Sequence, residues 1–281
     1  MIVNSLILFF FGICIGSFLN VVILRYDPDK TALVGKHLGG RSKCRSCGKT
    51  LRWFELIPIF SFFVQKGRCR TCHRKISWQY PIVEILSGII LVAAYLKWGL
   101  TLKALLIALF ALSLLVLSFI DFYFQVIPDE LNLFIGLLGV LYVLLGWQTK
   151  AFGLTEGSFI GYYASVLGLR QNIFLNHLAA ALFGGLLFMG LIFLTRGRGM
   201  GMGDMKLGAA AGLFIGWPDI VLALMLSFIL GGFFGGISLF LRRKKMKDML
   251  PFGPFMAAGI LLIVFLGFNI CNGYFRFFNL A

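Results

Sequence analysis

Two aspartates stand at the ends of long apolar runs in a chain that has only 11 acidic residues. Asp121 follows one such run, and Asp204 lies in the glycine-rich segment 201–206, between the apolar runs 176–194 and 207–217. A carboxylate at a membrane boundary is costly and usually has a function. Two carboxylates that lie close together share a proton, so that one can activate water while the other polarises a carbonyl group. The sequence therefore predicts a catalytic aspartate pair.

The acids also have structural explanations. Asp204 could cap a helix that starts near Met205. Asp129 follows Pro128 and precedes an apolar run, which is the pattern of a helix N-terminus, so capping is the favoured interpretation of that residue. Asp121 has no comparable explanation, because the helix dipole disfavours an acid at the C-terminal end of a helix.

Four of the six cysteines form two Cys-x-x-Cys pairs in one polar loop, with 21 residues between the pairs. This spacing is typical of a tetrahedral zinc site with four thiolate ligands. Such a site has no open position for water, so the zinc is expected to be structural. Two disulfides or a redox pair are the alternatives, although a cytoplasmic location disfavours disulfides. The predicted ligands are Cys44, Cys47, Cys69 and Cys72.

The elements that must position these residues are membrane helices. The chain has 281 residues, is 59% hydrophobic and 13% charged, and has a mean hydropathy of +0.92. No soluble domain of this size could bury so much apolar side chain, and the runs are too long for an outer-membrane barrel. We predict an all-α polytopic membrane bundle with a cytoplasmic zinc-ribbon-like loop. About eight spans are expected, of which the sixth is short for a full crossing: 2–24, 81–97, 101–121, 131–147, 176–195, 207–217, 219–241 and 253–270.

The basic residues predict which ends of the spans face the cytoplasm. Most of the 26 Lys and Arg residues lie in 25–80, 196–206 and 242–252, which the positive-inside rule places in the cytoplasm. The N-terminus is then outside, and Asp121 and Asp204 both lie on the cytoplasmic side. No basic residue precedes the first apolar run, so that run is expected to be a retained span. Topology and anionic lipid explain the net charge of +15, so no nucleic-acid partner is expected.

Several segments of the chain, in a fixed order, resemble those of the bacterial prepilin peptidases, also called type 4 leader peptidases. The resemblance covers nearly the whole chain, and its motifs together are far more specific than any one of them. They are the N-terminal segment 11–22, the two cysteine pairs, the segments 55–61 and 76–84, the first aspartate segment 121–129, the second aspartate segment 201–206, and the late segment 251–255.

The resemblance implies an intramembrane aspartic protease with Asp121 and Asp204 as its catalytic pair. Its substrates would be type IV prepilins and type II secretion pseudopilins, which lose a short basic leader at the cytoplasmic face of the bacterial inner membrane. Family members with the cysteine loop also methylate the new N-terminus with S-adenosylmethionine. For that step Glu84 is a candidate, with helix capping equally possible. The implied division is a methyltransferase-associated region, 1–90, and a peptidase region, 91–281.

Two other classes of function compete with this interpretation. An ion-coupled membrane transporter could use Asp121 and Asp204 as proton sites, although both acids are predicted at one face and not at the middle of the membrane. A scaffold for assembly through the zinc loop is the second alternative. Peptide cleavage by the purified protein would separate an enzyme from both.

Overall fold

The computed structural model describes residues 1–28, 39–149, 158–161, 163–164, 172–197, 199–241 and 250–278. Within these residues the predicted all-helical fold is confirmed, because the only β-structure is two isolated bridges in the cysteine loop. The helices are α1 (Ile2–Arg25), α2 (Phe60–Val64), α3 (Gln79–Trp98), α4 (Leu102–Phe124), α5 (Asp129–Gln148), α6 (Ile173–Thr195), α7 (Met202–Ile215), α8 (Asp219–Phe240) and α9 (Gly253–Phe277), with a short 3₁₀ turn at Trp53–Leu56.

Seven of the described helices are long and apolar enough to cross a membrane, namely all except α2 and α7. The chain is therefore a multi-pass membrane protein. The sixth predicted span corresponds to α7, which has 14 residues and rises only about 21 Å. The apolar run there is cut short because Gly216 and Pro218 follow Ile215. The predicted basic loop 242–252 lies largely outside the described residues.

The chain forms two compact units, Met1–Ala104 and Leu105–Ala281. In the N-terminal unit α1 and α3 pack antiparallel. A methyl group on Gly12 would lie 2.7 Å from Cα of Gly88, so the two helices approach as closely as small residues permit. Two turns further along α1, the amide of Asn20 donates a hydrogen bond to the carbonyl of Tyr80 at 3.1 Å.

In the C-terminal unit the short helix α7 packs against α4, α5 and α6. The ring of Phe214 stacks on Phe110 with 3.9 Å between centroids, and Tyr142 of α5 lies 4.8 Å away on a tilted plane. Towards α6, the backbones of Gly208 and Gly184 touch. Because lipid provides little hydrophobic driving force between helices, such close packing is a main source of their association.

The first turn of α7 lies beside the start of α5, and its last turn lies beside the start of α6. At one end the amine of Lys206 binds the carboxylate of Asp129 at 2.7 Å. At the other end the amide of Asn176 exchanges two hydrogen bonds with the backbone of Trp217, at 2.8 and 3.0 Å. Thus α7, although short, connects the two ends of the unit. We call the end that contains Asp121, Asp129, Asp204 and Gly253 the site end.

Candidate active site and metal centre

Asp121 lies in the last turn of α4 and is buried, with 5% of its surface exposed. Its Oδ2 accepts a hydrogen bond from the backbone N–H of Gly253, the first residue of α9, at 2.9 Å. A methyl group at position 253 would lie 2.7 Å from the same oxygen. Gly253 is therefore required for α9 to begin so close to the carboxylate.

Asp204 lies in the first turn of α7 and is also buried, with 8% exposed. Its Oδ2 accepts the N–H of Gly201 at 3.0 Å, which is the capping contact considered from the sequence. Gly203 has no room for a side chain, because a methyl group there would lie 2.9 Å from Cβ of Ile127. The linker between Asp121 and Asp129 is thus held against the start of α7.

Asp121 and Asp204 both lie at the site end, where the contact between Gly203 and Ile127 holds the start of α7 against the linker that follows Asp121. In each aspartate the hydrogen bond found among the described residues engages Oδ2, which leaves Oδ1 for another partner. Of the ion pairs formed by the described residues, neither involves Asp121 or Asp204. Among the described residues, both acids are therefore buried carboxylates that have no basic partner.

Asp129 begins α5, as its sequence pattern predicts, but its side chain binds a residue of another helix. It is the first residue of that helix, and its side chain makes no capping hydrogen bond. Both carboxylate oxygens instead accept from the amine of Lys206, at 2.7 and 2.8 Å. The prediction that Asp129 marks a helix N-terminus is confirmed, because α5 begins there with an acid in its first turn. Its carboxylate binds Lys206, one turn into α7, because a charged donor competes with the backbone.

The four loop cysteines form one cluster whose sulfur atoms all lie within 4.8 Å of one another. The sulfurs of Cys44 and Cys72 are 3.9 Å apart. A tetrahedral zinc ion with Zn–S bonds of about 2.3 Å requires sulfurs about 3.8 Å apart, so the cluster fits this ion. All four cysteines are free of disulfide bonds.

The two cysteine pairs have the same backbone geometry. In each, the N–H of the first cysteine, Cys44 or Cys69, donates to the carbonyl five residues later, at 2.8 and 2.9 Å. Gly48 and His73 occupy the same place after the first cysteine and both have positive φ, +71° and +54°. Backbone N–H groups of Cys72 and Thr71 lower the pKa of the Cys69 thiol to about 6, which favours the thiolate that a metal requires.

Glu84 lies one turn into α3 and is buried, with 4% exposed. Its Oε2 accepts the N–H of Ile59 at 2.7 Å, and Ser17 of α1 also hydrogen-bonds the carboxylate. Ile59 has φ +60° and ψ −56°, and the N–H of Phe60 donates to the carbonyl of Pro58 at 2.5 Å. This is a γ-turn, a strained conformation for a β-branched residue. Glu84 is therefore bound by a loop and is not a simple helix cap.

The helix interface around Glu84 contains three further buried polar atoms that have no hydrogen-bond partner among the described residues: Oδ1 of Asn20, Nε2 of Gln79 and Oγ of Ser87. Buried polar groups are nearly always paired, and each exception calls for an explanation. Together with the carboxylate, these atoms make this helix interface polar.

One buried polar residue of α5 is not indicated by the sequence. Asn132 of α5 is 6% exposed, and neither Nδ2 nor Oδ1 has a partner among the described residues. The available signal was a carboxamide three residues after Asp129 and inside an apolar run. The backbone N–H that Gly253 donates to Asp121 could not be found from residue types at all.

Two protein-family models match the chain. The bacterial peptidase A24 N-terminal domain matches residues 10–98, and the type IV leader peptidase family matches residues 108–236. A Bacillus subtilis (strain 168) protein named prepilin leader peptidase/N-methyltransferase is 30% identical over 274 residues, which is 96% of this chain and 97% of the relative. The chain belongs to the type IV leader peptidase family.

Other relatives of this chain carry the same name. The Aeromonas hydrophila protein is 32% identical over 95% of this chain and 92% of its own length. The Xanthomonas campestris pv. campestris protein is 30% identical over 96% and 93%. No solved structure matches the chain. The family predicted from the motifs is therefore confirmed, and the peptidase match contains both Asp121 and Asp204.

Proposed function

We propose that this member of the type IV leader peptidase family is a prepilin leader peptidase and N-methyltransferase, the two activities in its relatives' names. The observation that carries the peptidase assignment is the pair of buried carboxylates, Asp121 and Asp204, at the site end. Each is fixed through one oxygen by a backbone N–H, Asp121 by the start of α9 and Asp204 by the N-cap of its own helix. Such fixed positions are what a two-carboxylate hydrolase needs.

In the proposed reaction Asp121 and Asp204 share one proton. The ionised carboxylate takes a proton from water as the water oxygen bonds to the carbonyl carbon of the scissile peptide. The protonated carboxyl group gives its proton to the carbonyl oxygen, and a neutral tetrahedral diol forms. Both transfers are then reversed as the C–N bond breaks. The first group gives a proton to the leaving nitrogen, and the second takes one from a hydroxyl group.

The proposed substrates are type IV prepilins and type II secretion pseudopilins, in which a basic leader precedes a long apolar helix. Such a helix can enter from membrane lipid while the leader junction stays at the site end. We place the site end at the cytoplasmic face of the bacterial inner membrane. Arg196 and Lys206 lie there, and the positive-inside rule supports that orientation.

We assign methyl transfer to the N-terminal unit. S-adenosylmethionine supplies an electrophilic methyl group when it is bound. Glu84 would hold the ammonium group of the new N-terminus and accept the proton that the amine must lose before it is methylated. The unpaired atoms of Asn20, Gln79 and Ser87 offer further polar contacts to a ligand. This role is supported by the strained contact between Ile59 and Glu84, since strain is often retained at functional sites.

We propose that the four cysteines hold a structural zinc ion. Four thiolates complete a tetrahedral site and leave no position for a reacting water. The ion would cross-link the two cysteine pairs, which are otherwise joined by few backbone hydrogen bonds. Its expected effect is on the fold of the loop and not on the chemistry at Asp121 and Asp204.

The test is cleavage of a prepilin by the purified protein, read by product mass with and without S-adenosylmethionine. The wild type should release the leader, while Asp121→Asn and Asp204→Asn should remain folded and lose activity by at least about 100-fold. Asp129→Asn is the matched control and should retain most activity, because its exposed ion pair contributes at most about 1 kcal/mol. Normal cleavage by either dyad variant would refute the assignment and reopen the transporter alternative.

The same assay separates the methyl-transfer assignment from the peptidase assignment. Glu84→Gln should still cleave, but its product should lack the mass of one methyl group. Glu55→Gln is the matched control: Glu55 is also buried, but it accepts the N–H of Arg52 within its own loop. Methylation by Glu84→Gln at the wild-type rate would exclude a role for this carboxylate.

A further inference from the structure

Asn132 is the least satisfied polar side chain in the described part of the C-terminal unit. Both Nδ2 and Oδ1 are sealed from solvent and have no hydrogen-bond partner among the described residues. Leaving a buried polar group unpaired costs on the order of 1–3 kcal/mol in the free protein. Asn176, at the opposite end of the unit, shows how such a residue is normally accommodated: both of its polar atoms bond the backbone of Trp217.

Asn132 lies one helical turn along α5 from the site end. Helices α5 and α7 run in the same direction where they contact each other. Asp129 binds Lys206, and further along both helices Gly136 faces Ala210. Asn132 is three residues after the first of these contacts and four before the second. It therefore lies beside the second turn of α7, and Asp204 is in the turn before.

An exposed linker precedes Asn132 in the chain. Residues 125–127 separate α4 from Pro128 and are partly or fully exposed. The backbone N–H of Asn132 donates to the carbonyl of Pro128 at 3.3 Å. A peptide that lies along this linker on its way to Asp121 and Asp204 comes within one helical turn of the carboxamide.

We propose that Asn132 is a binding residue for the main chain of the peptide substrate beside its scissile bond, an inference that rests on the proposed peptidase function. A carboxamide has one N–H donor group and one carbonyl acceptor, the same set that a peptide unit presents. Entry of the substrate between the linker and α5 pairs both groups. Binding thereby removes the free-energy penalty of the unpaired carboxamide in the free enzyme.

The experiment compares Asn132→Leu with the wild type on a prepilin peptide and on matched peptides in which one backbone amide near the scissile bond is replaced by an ester. Leu has a similar volume and no polar atom. The variant should be at least as thermally stable as the wild type, yet its kcat/KM should fall about 5–30-fold, mainly through a higher KM. One of the ester peptides should be cleaved more slowly than the all-amide peptide by the wild type. The variant should cleave that ester peptide and the all-amide peptide at the same rate.

Asn176→Leu is the control, because it deletes two formed hydrogen bonds far from the aspartates. It should lower thermal stability, and every ester effect should remain as in the wild type. The proposal would be overturned if Asn132→Leu left kcat/KM unchanged, or if every ester peptide slowed the variant as much as it slows the wild type. Neither result would contradict the aspartate pair. A wild type that cuts no prepilin would instead refute the underlying peptidase function.

Discussion

Replacing Gly208 by alanine should displace Asp204 and lower activity, although the nearest neighbours of the added methyl group belong to α6. A methyl group there would lie 2.8 Å from Cδ2 of Phe188 and 3.0 Å from the carbonyl oxygen of Gly184. Carbon atoms in contact need about 3.5 Å, so the groups must separate by roughly 0.7 Å. Phe188 cannot yield readily, because it is fully buried and packs against Phe228. Helix α7 must therefore shift. Asp204 lies on the same helix, one turn before Gly208, and should move with it.

The expected cost has two parts. Overpacking should lower the free energy of unfolding by about 1–3 kcal/mol. A displacement of 1 Å at a reacting group can cost about 100-fold in rate, so a shift of roughly 0.7 Å should reduce kcat/KM about 25-fold. Both are measured on purified protein, by thermal denaturation and by prepilin cleavage.

Gly190→Ala is the matched control, since Gly190 is also helical and a methyl group there meets no atom within 4 Å. Alanine is the better helix former by about 1 kcal/mol, so this variant should be as stable as the wild type or more so, with full activity. Wild-type stability and cleavage by Gly208→Ala would show that α6 and α7 can separate without moving Asp204, and the reasoning would fail.

Three other changes have defined outcomes. Gly253→Ala should abolish most cleavage, because its methyl group would lie 2.7 Å from Oδ2 of Asp121; normal cleavage would mean that α9 does not fix this carboxylate. Cys69→Ser should lower bound zinc, measured by elemental analysis, and loosen the loop to proteolysis; full zinc content would exclude Cys69 as a ligand. Ile59→Gly should keep thermal stability within about 1 kcal/mol of wild type despite the lost side chain, since glycine tolerates φ +60°; a much larger loss would show that the turn is unstrained.

The helices and the cysteine cluster could be predicted because their signals are local. Long apolar runs define membrane helices by composition alone, and the spacing of Cys44, Cys47, Cys69 and Cys72 is that of a known ligand set. The shortness of α7 is predicted by the sequence as well, since Pro218 follows its short apolar run. The family followed from several motifs in a fixed order.

The contacts that position the acids could not be predicted, because they join elements distant in the chain. The N–H that binds Asp121 comes from Gly253, 132 residues away. Asp129 was assigned to its own helix, yet its partner Lys206 belongs to α7. Asn132 was passed over because an isolated amide in an apolar run becomes informative only when its partners are known. The catalytic roles of Asp121 and Asp204 stay predictions until they are tested by mutation.

The shortness of α7 has a consequence for how the enzyme responds to membrane voltage. A helix of 14 residues spans about 21 Å, and one centred in a hydrocarbon layer of about 30 Å ends roughly 4 Å inside each boundary. Only about 15% of the membrane voltage then falls between Asp204 and the nearer boundary. The energy of a charge on Asp204 therefore changes by about 0.3 kcal/mol per 100 mV. Energising the membrane should therefore change the reaction rate by less than about twofold. Rates measured in detergent, where no voltage exists, should hold for the enzyme in a respiring cell.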